Sequence, residues 1–288
     1  TSMSEQLPGE TELENRPSVE AKALSVNLNK YIYGTFAEIA AGQEGARHFF
    51  RSGGASGTIA KTISAYDKNF SDIFFQEEDG IRDVTEARLN KMLDHEMQLL
   101  EERISRKENP NKMFFTYANT VTTIDFAKKF KGHGWMGIRY QVDPKQPYSE
   151  ITLHVRFHQT EARLQQEVLG LIGVNLVYGA FYKYQEPKKL LRYLYDNIDE
   201  DAIEIDTINF KGPLFEGVDN RLMSLQLVRN GMTDAVMFNP EGNNILPARE
   251  LYKKNILALR GSFRPVTLVN IDMFEKALDA FIHESEVE

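Results

Sequence analysis

The chain has 288 residues, of which 42% are hydrophobic and 26% charged, as is typical of globular proteins, and its length suits one large domain or two small ones. No apolar run approaches the ~20 residues of a membrane-spanning helix, and no signal-peptide pattern is visible, so we expect a cytoplasmic protein without a membrane partner. The absence of cysteine excludes disulfides, thiolate metal sites and a cysteine nucleophile.

The net charge of −8 is concentrated at the two ends of the chain. Residues 1–20 and 283–288 together account for seven of the eight net negative charges, so the rest of the chain is close to neutral. A nucleic acid is therefore an unlikely partner, because a phosphate backbone needs a broad basic surface. Local basic clusters remain able to bind a single phosphate group.

The first part of the chain has a mainly helical pattern. Residues 1–18 are acidic, polar and broken by prolines, which predicts a disordered tail. Over 19–41 apolar residues recur at every fourth position, which predicts one long helix. Thr85 is suited to the N-cap of a second helix. We therefore expect a mainly helical region over 19–110.

The second half of the chain alternates between strand-like and helical segments. Strands are predicted at 113–118, 135–141, 151–157, 202–210, 234–238 and 256–259. Helices are predicted at 163–184, 188–197, 220–230 and 271–282. The alternation predicts an α/β or α+β fold in which the N-terminal helices pack on a mixed β-sheet with further helices. We expect residues 111–288 to form one compact domain with the preceding helices.

A glycine cluster in the segment RSGGASGTIAKTISAYD, residues 51–67, is the first candidate site. Helical spacing follows the glycines, and free N–H groups at a helix start can hold a phosphate or a carboxylate. The candidate phosphate contacts are Gly53, Gly54, Gly57, Thr58 and Lys61. Asp67 and Glu96 are the candidates for a catalytic base or for a Mg²⁺ ligand. The alternative is a flexible hinge between two helices, since the phosphate-loop sequence Gly-Lys-Ser/Thr is absent.

Two later segments have a cationic face. In HGWMGIR, residues 133–139, a strand would place Trp135 and Arg139 on one face, where they suit an anionic planar ligand. The alternative is a turn histidine beside a packed tryptophan. In 151–158, His154 and Arg156 alternate with apolar residues, so this face lines an anion site or is simply solvated.

Metal binding has little support in the sequence. His154 and His158 would lie ~13 Å apart on one strand, too far to share a zinc ion. Glu204 and Asp206 lie near each other on a predicted strand and form a possible carboxylate pair for Mg²⁺ or for acid–base chemistry. We predict no dedicated metal site.

A last basic segment, YKKNILALRGSFRPVT, covers residues 252–267. Arg260 and Arg264 flank a Gly-Ser-Phe turn and could clamp a phosphate or a carboxylate between two guanidinium groups. The alternative is surface charge on a loop.

The chain resembles a family of uncharacterised bacterial proteins over roughly residues 25–285. The resemblance rests on GGASGTIAKTISAYD, LDHEMQLLEERI, GHGWMGIR, LQQEVLGLIGVNLVYGAFY, IEIDTINFKGPLFEGVDNRLMSLQLV and YKKNILALRGSFRPVT. Members of that family look longer, so we expect this chain to be the N-terminal half of a larger protein or a short member. The resemblance supplies no residue roles.

Two names are attached to such sequences, and this sequence supports neither. A TonB-dependent receptor would show a signal peptide and many lipid-facing strands of about ten residues. A nicotinate-nucleotide adenylyltransferase carries a His-x-Gly-His motif after its first strand, whereas His133 begins a segment without the second histidine and far along the chain.

The predicted function is the binding of a phosphate-bearing small molecule, such as a nucleotide, with a reaction on that ligand left open. This prediction is based on the repeated occurrence of glycine and cationic residues together in a chain that is nearly neutral apart from its ends. The alternative is a non-catalytic module that forms a homo-oligomer or binds a partner, favoured by the glycine-rich helix predicted at 163–184.

Overall fold

The structure is a computed structural model that describes residues 16–40, 44–65 and 84–285. The helices are α1 (Val19–Leu28), α2 (Glu44–Arg51), α3 (Glu86–Arg103), α4 (Ala162–Tyr182), α5 (Pro187–Tyr193), α6 (Asn220–Arg229), α7 (Pro247–Glu250) and α8 (Leu268–Ser285). The strands are β1 (Ile32–Ala40), β2 (Ile59–Ala65), β3 (Met113–Thr123), β4 (Gly132–Tyr140), β5 (Ser149–Phe157), β6 (Ile203–Lys211), β7 (Met237–Phe238) and β8 (Asn244–Ile245). The chain divides into two compact units between Asn244 and Ile245.

The first unit is organised around a six-stranded sheet with the order β2-β1-β3-β4-β5-β6. Strand β1 runs parallel to β2 and β3, whereas the pairs β3–β4, β4–β5 and β5–β6 are antiparallel. This mixed sheet with helices confirms the predicted α/β class. The topology also brings the end of β3, the start of β4, the end of β5 and the start of β6 to one edge of the sheet.

One face of the sheet is apolar and carries the main core. Helices α1, α2 and α4 lie on this face, where Phe36, Tyr117 and Ile138 are buried. The predicted close packing of the glycine-rich helix is confirmed at Gly173, because a Cβ atom there would lie 2.7 Å from the Tyr117 hydroxyl oxygen. The long helix α4 is apolar on nearly all sides, as expected for a helix buried in a core.

The opposite face of the sheet is more polar and lies against α3. Helix α3 begins at an N-cap in which the Thr85 side chain accepts a hydrogen bond from the Arg88 N–H group, as the sequence predicts. Leu89 lies over the middle of β4, where a Cβ atom on Gly137 would be 3.4 Å from Leu89 Cδ2. Gly137 therefore allows α3 to approach the sheet closely.

The helix predicted at 19–41 is wrong in its second half, where the structure has β1. The fourfold apolar spacing continues through Ile32 and Phe36, but spacing of four also satisfies the even periodicity of a strand. Ile32 and Phe36 are buried in β1, which pairs with a strand on each side. Tertiary pairing therefore overrides the local helical pattern.

The helix predicted after the glycine cluster is also wrong. A short 3-10 turn at Ala55–Gly57 leads into β2, which pairs with β1 in parallel. Ile59 and Ile63 are β-branched, which favours a strand, and a spacing of four fits the even periodicity of a strand as well as that of a helix. The predicted strand at 256–259 is likewise absent, because residues 255–260 have no regular secondary structure.

Candidate functional site

The glycine loop, residues 53–58, is held to α1 by its own polar groups. Asn27 Nδ2 donates to the carbonyl oxygens of Phe49 and Gly53, at 2.7 Å in each case. The hydroxyl of Thr58 is buried and donates to the Asn27 carbonyl oxygen at 2.8 Å. Gly53 and Gly54 adopt φ values of 80° and 72°, which explains why glycine is needed there. The loop leads into strand β2 and not into a helix, and the Thr58 hydroxyl is already bonded to a group of the protein.

Two predicted site residues meet each other on the polar face. Lys61 lies on β2, and its Nζ atom is 2.9 Å from Oε2 and 3.1 Å from Oε1 of Glu96. Glu96 is completely buried on α3. The candidate phosphate contact and the candidate base thus form an ion pair between helix and sheet, so a phosphate at Lys61 would have to displace a carboxylate.

The remaining predicted residues are distributed over separate places. Arg139 on β4 pairs with Asp94 of α3 and, at 3.2 Å from its Nε atom, with Glu150 of β5. Arg260 and Arg264 lie in the second unit, exposed to solvent in the stretch between α7 and α8. Asp67 lies outside the described residues. Within the first unit, Lys61 meets Glu96, whereas Arg139 pairs with Asp94 and Glu150.

A different cluster forms at the sheet edge where β4 begins and β5 ends. We call it the histidine edge and define it as His133, His154, Arg156 and Asp206. His133 lies opposite Arg156 in the β4–β5 register, and His154 lies opposite Trp135. Between β5 and β6 the register shifts after His154, which is a β-bulge on the β6 side. The bulge brings Asp206 to His154.

Three of the four residues of the histidine edge, Asp206, His154 and His133, form a hydrogen-bonded chain. Asp206 Oδ1 is 2.6 Å from His154 Nδ1, and His154 Nε2 is 2.8 Å from His133 Nδ1. Asp206 and His154 are buried, whereas His133 is half-buried at the outer end. The Trp135 ring packs against the His154 ring with a centroid separation of 4.9 Å. The hydrogen-bonded chain thus runs from the buried carboxylate of Asp206 to the partly exposed imidazole of His133.

The order of groups in this chain determines where the protons lie. A carboxylate only accepts, so Asp206 selects the His154 tautomer that carries its proton on Nδ1. When His154 is neutral, its Nε2 atom accepts from His133 Nδ1–H and the outer Nε2 atom of His133 carries no proton; when His154 is protonated, the donor and acceptor roles in this bond are reversed. Burial is the main cause that lowers the pKa of His133 to about 4, and the nearby positive charge of Arg156 contributes. His133 is therefore neutral at pH 7.

Arg156 adds an exposed positive charge beside His133. Its register neighbour on β6 is Glu204, but that carboxylate accepts from the Thr233 hydroxyl at 2.6 Å and lies 3.4 Å from His158 Nε2. Among residues 16–40, 44–65 and 84–285, no acidic side chain forms an ion pair with Arg156. The guanidinium group is therefore available to an anion from solution.

The loop between β3 and β4 borders the histidine edge. Phe130 contacts the His133 ring edge to face, with centroids 5.9 Å apart. Gln165, buried at the start of α4, accepts from the Ile124 N–H group at 2.8 Å and donates to the Lys131 carbonyl oxygen at 2.7 Å. One amide side chain thus joins the outgoing and returning strands at the base of this loop.

Another buried acid, Glu38, lies on the apolar face of the sheet. Glu38 Oε1 accepts from the Gly45 N–H group at 3.0 Å and from Asn119 Nδ2 at 3.3 Å. Burial is the main cause that raises the pKa of Glu38 to about 8. The carboxyl group is therefore mostly protonated at pH 7, and its surroundings are closed by the first turn of α2.

An open cavity of about 640 Å³ in the first unit is lined by charged residues unrelated to this edge. Arg192 and Arg229 line it together with Asp199 and Glu200, so their charges cancel. Arg16, which also lines it, pairs with Asp196 at 3.2 Å. The lining thus carries three arginines against two acidic residues, and most of the positive charge of the cavity is offset.

The sequence showed the polar alternation in β4 and β5 but not the partner that organises it. The sequence predicts Glu204 and Asp206 as a carboxylate pair, whereas in the structure each carboxylate binds a different histidine. Only the β5–β6 register and its bulge reveal the link to His154. Gln165 stands in a run of amide and acidic residues at the start of the long helix, but no sequence pattern indicates that it bonds to the β3–β4 loop.

Within the described ranges, no group of three or more His, Asp or Glu side chains is arranged to hold a metal ion. Over the same part of the chain, no helix has both the length and the apolar character needed to cross a membrane.

No family model and no curated protein matches the chain. Among solved structures, it is similar to the competence/damage inducible protein CihA from Agrobacterium tumefaciens, with 13% identity, a TM-score of 0.38 and coverage of 62% of this chain and 96% of the other. A competence-damaged protein (CinA) superfamily protein from Klebsiella pneumoniae gives 12% identity, a TM-score of 0.38 and coverage of 60% and 96%. A competence-damaged protein (CinA) superfamily protein from Enterobacter cloacae has 11% identity and a TM-score of 0.36, and the match covers 68% of this chain and 99% of the other. Likenesses this weak say nothing about a ligand.

Proposed function

We propose that the protein binds a phosphate-bearing small molecule at the histidine edge. The observation that carries this proposal is the exposed guanidinium group of Arg156, which lies opposite His133 in the sheet register and has no ion-pair partner among the described residues. A guanidinium group offers a planar pair of donors that matches two phosphate oxygens. The glycine loop has no comparable group, because its Thr58 hydroxyl has an internal acceptor.

His133 is suited to take a proton from the bound ligand or from an attacking water. When Nε2 accepts a proton, Nδ1–H remains donated to His154, whose other nitrogen is held by Asp206. The buried carboxylate then stabilises the positive charge through the two rings, which is the arrangement of a general base with an orienting acid. A reaction on the ligand is part of this proposal, with His133 as the proton acceptor.

Ligand binding and protonation of His133 should be coupled. Burial and the nearby cations depress the pKa of the free protein's His133 to about 4, and a bound phosphate anion favours the charged imidazole and raises that pKa. Binding therefore takes up a proton when the pH lies between the two pKa values. We expect the affinity for pyrophosphate to increase as the pH falls from 7 towards 5.

Isothermal titration calorimetry with pyrophosphate tests the proposal directly. We expect Arg156→Gln to weaken binding by about ten- to 150-fold, since hydrogen bonds to a charged group contribute ~1.5–3 kcal/mol. The matched control is Arg103→Gln, which removes an exposed arginine on α3 far along the chain from this edge. Equal affinities of wild type and Arg156→Gln, or equal losses in both variants, would contradict the assignment.

A second candidate function, a module for homo-oligomer formation, is favoured by α8. Its residues Ile271, Phe274 and Leu278 are spaced by three and four, and each leaves 36–45% of its surface exposed. Such a stripe is typical of a helix that packs on a partner. Light scattering of the wild type and of Phe274→Asp measures the oligomeric state. A dimer that the substitution dissociates supports the oligomer-forming module, and a wild type that is monomeric at all concentrations contradicts this second candidate function.

A further inference from the structure

The loop between β3 and β4 combines aromatic and basic side chains at the surface. We call residues 124–131 the aromatic loop; the ring of Phe126 is fully exposed, and that of Phe130 is 48% exposed. Its three lysines, all exposed, are Lys128, Lys129 and Lys131. None of these lysines forms an ion pair within the described ranges. Exposed aromatic rings among unneutralised cations are unusual on a protein surface and indicate a ligand with both a planar and an anionic part.

The aromatic loop is held in one conformation. The Asp125 carboxylate accepts from the N–H groups of Lys129 at 2.8 Å and Phe130 at 3.2 Å, and the Asp125 N–H group donates to the Phe130 carbonyl oxygen. Gln165 fastens the base of the loop to α4. The Phe130 ring is thus presented in place before a ligand arrives, which lowers the entropic cost of binding to it.

Phe130 connects the aromatic loop to the histidine edge. One part of its ring contacts His133, and the remainder faces solvent. Arg156 lies opposite His133 in the sheet register, so a ligand that stacks on Phe130 has its neighbouring groups beside His133 and Arg156. A sugar phosphate or inorganic phosphate would leave the aromatic surface unused.

We infer that the ligand of the histidine edge is a nucleotide whose base stacks on Phe130 while its phosphate groups contact Arg156 and the lysines of the aromatic loop. This inference rests on the proposed function. Stacking on an aromatic ring is tolerant of base identity, because every base has a π-face. The site is therefore expected to distinguish nucleotides from other phosphates more strongly than it distinguishes one base from another.

The test compares ADP with pyrophosphate, which carries the same two phosphate groups without a base, by isothermal titration calorimetry. The variant is Phe130→Leu, which keeps an apolar side chain against His133 but removes the aromatic ring. We expect ADP to lose about five- to 150-fold in affinity, the equivalent of ~1–3 kcal/mol for stacking one base, and pyrophosphate to bind unchanged. The control is Phe126→Leu, a residue of the same type and loop, with ADP affinity expected to stay within twofold of the wild type.

The outcomes separate this inference from the proposed function. If pyrophosphate binds but ADP binds no tighter, or if Phe130→Leu and Phe126→Leu lose equally, the nucleotide inference is overturned while the phosphate site stands. If neither compound binds, the proposed function itself is overturned. A twelve-residue oligothymidylate or vesicles containing phosphatidylserine bound in preference to ADP would overturn the inference in favour of single-stranded nucleic acid or of a membrane surface.

Discussion

The glycine loop and the histidine edge are both candidate anion sites, yet their polar groups are used differently. In the glycine loop, the Thr58 hydroxyl and the Gly53 carbonyl oxygen are both bonded to Asn27. At the histidine edge, the buried Asp206 and His154 bond to each other, whereas the exposed Arg156 guanidinium group has no ion-pair partner among the described residues. The comparison teaches that a site is recognised by donors and acceptors left for a ligand rather than by residue type alone.

The largest expected effect on stability tests whether Lys61, like the polar groups of the glycine loop, is bonded within the protein. Lys61→Met leaves the buried Glu96 carboxylate without its cation, so we expect the free energy of unfolding to fall by about 3 kcal/mol, the lower end for a broken buried pair because Lys61 is partly exposed. Pyrophosphate affinity should stay unchanged. Urea denaturation and calorimetry measure the two quantities. Lys211→Met, an exposed lysine on β6, is the control, and a loss of binding in Lys61→Met alone would restore the glycine-loop site.

Thr58→Val tests the internal role of the glycine loop. Valine has the same shape but leaves the buried Asn27 carbonyl oxygen without the Thr58 hydroxyl, so we expect the free energy of unfolding to fall by ~1–3 kcal/mol. The comparison variant is Thr62→Val on the following strand β2, where the side chain is exposed and the cost should be near zero. If both variants are equally stable in urea, Thr58 is not the structural bond that we describe.

Glu38→Gln examines an internal polar group that titrates. The pKa of Glu38 is about 8 in the folded protein and near its ordinary value of 4.5 in the unfolded chain, so stability is fully present below pH 4.5 and is lost as the pH rises through 8. Each pH unit in that window costs at most ~1.4 kcal/mol. Glutamine does not ionise, so its variant should lack this slope between pH 5 and pH 8.

Urea denaturation at pH 5, 6.5 and 8 provides the measurement for Glu38. The exposed Glu102→Gln variant should keep the slope of the wild type. A Glu38→Gln variant with an unchanged slope would show that another group causes the dependence on pH.

The smallest effect on stability is expected at the histidine edge itself. Asp206→Asn keeps a hydrogen-bonding side chain in place, so we expect a loss of about 1 kcal/mol in the free energy of unfolding. The amide can donate as well as accept, so it no longer selects the Nδ1–H tautomer of His154. Nitrogen-15 NMR of the imidazole rings should show one tautomer in the wild type and a mixture in the variant. Identical spectra of the wild type and of the variant would mean that Asp206 does not select the tautomer of His154.

Much of the fold follows from local patterns in the sequence. Helix α3 with its cap at Thr85, the long helix α4 and strands β4 to β6 are predicted because their periodicity is unambiguous. Strand β1 is not, because Ile32 and Phe36 satisfy both the helical and the strand spacing. Its identity depends on pairing with β3, whose residues follow about eighty positions later in the chain.

The candidate site was predictable only in part. The cationic face of β4 and β5 is visible in HGWMGIR and in the alternation around His154 and Arg156. The hydrogen bond to Asp206 depends on a bulge between strands more than forty residues apart, and no local pattern encodes it. Conversely, the glycine cluster suggested a ligand because the sequence does not show that Asn27 binds its polar groups.

Gln165 has a consequence for the kinetics of recognition. The hydrogen bonds of its side-chain amide join both ends of the aromatic loop to a helix that lies mostly in the core beyond its first turns, so the loop cannot fray without disturbing the first turn of α4. Backbone amides of the loop should therefore exchange with deuterium as slowly as those of neighbouring strands rather than at the fast rate of an ordinary hairpin tip. A ligand then meets a surface that needs no ordering step, and association should be limited by encounter instead of by folding of the loop.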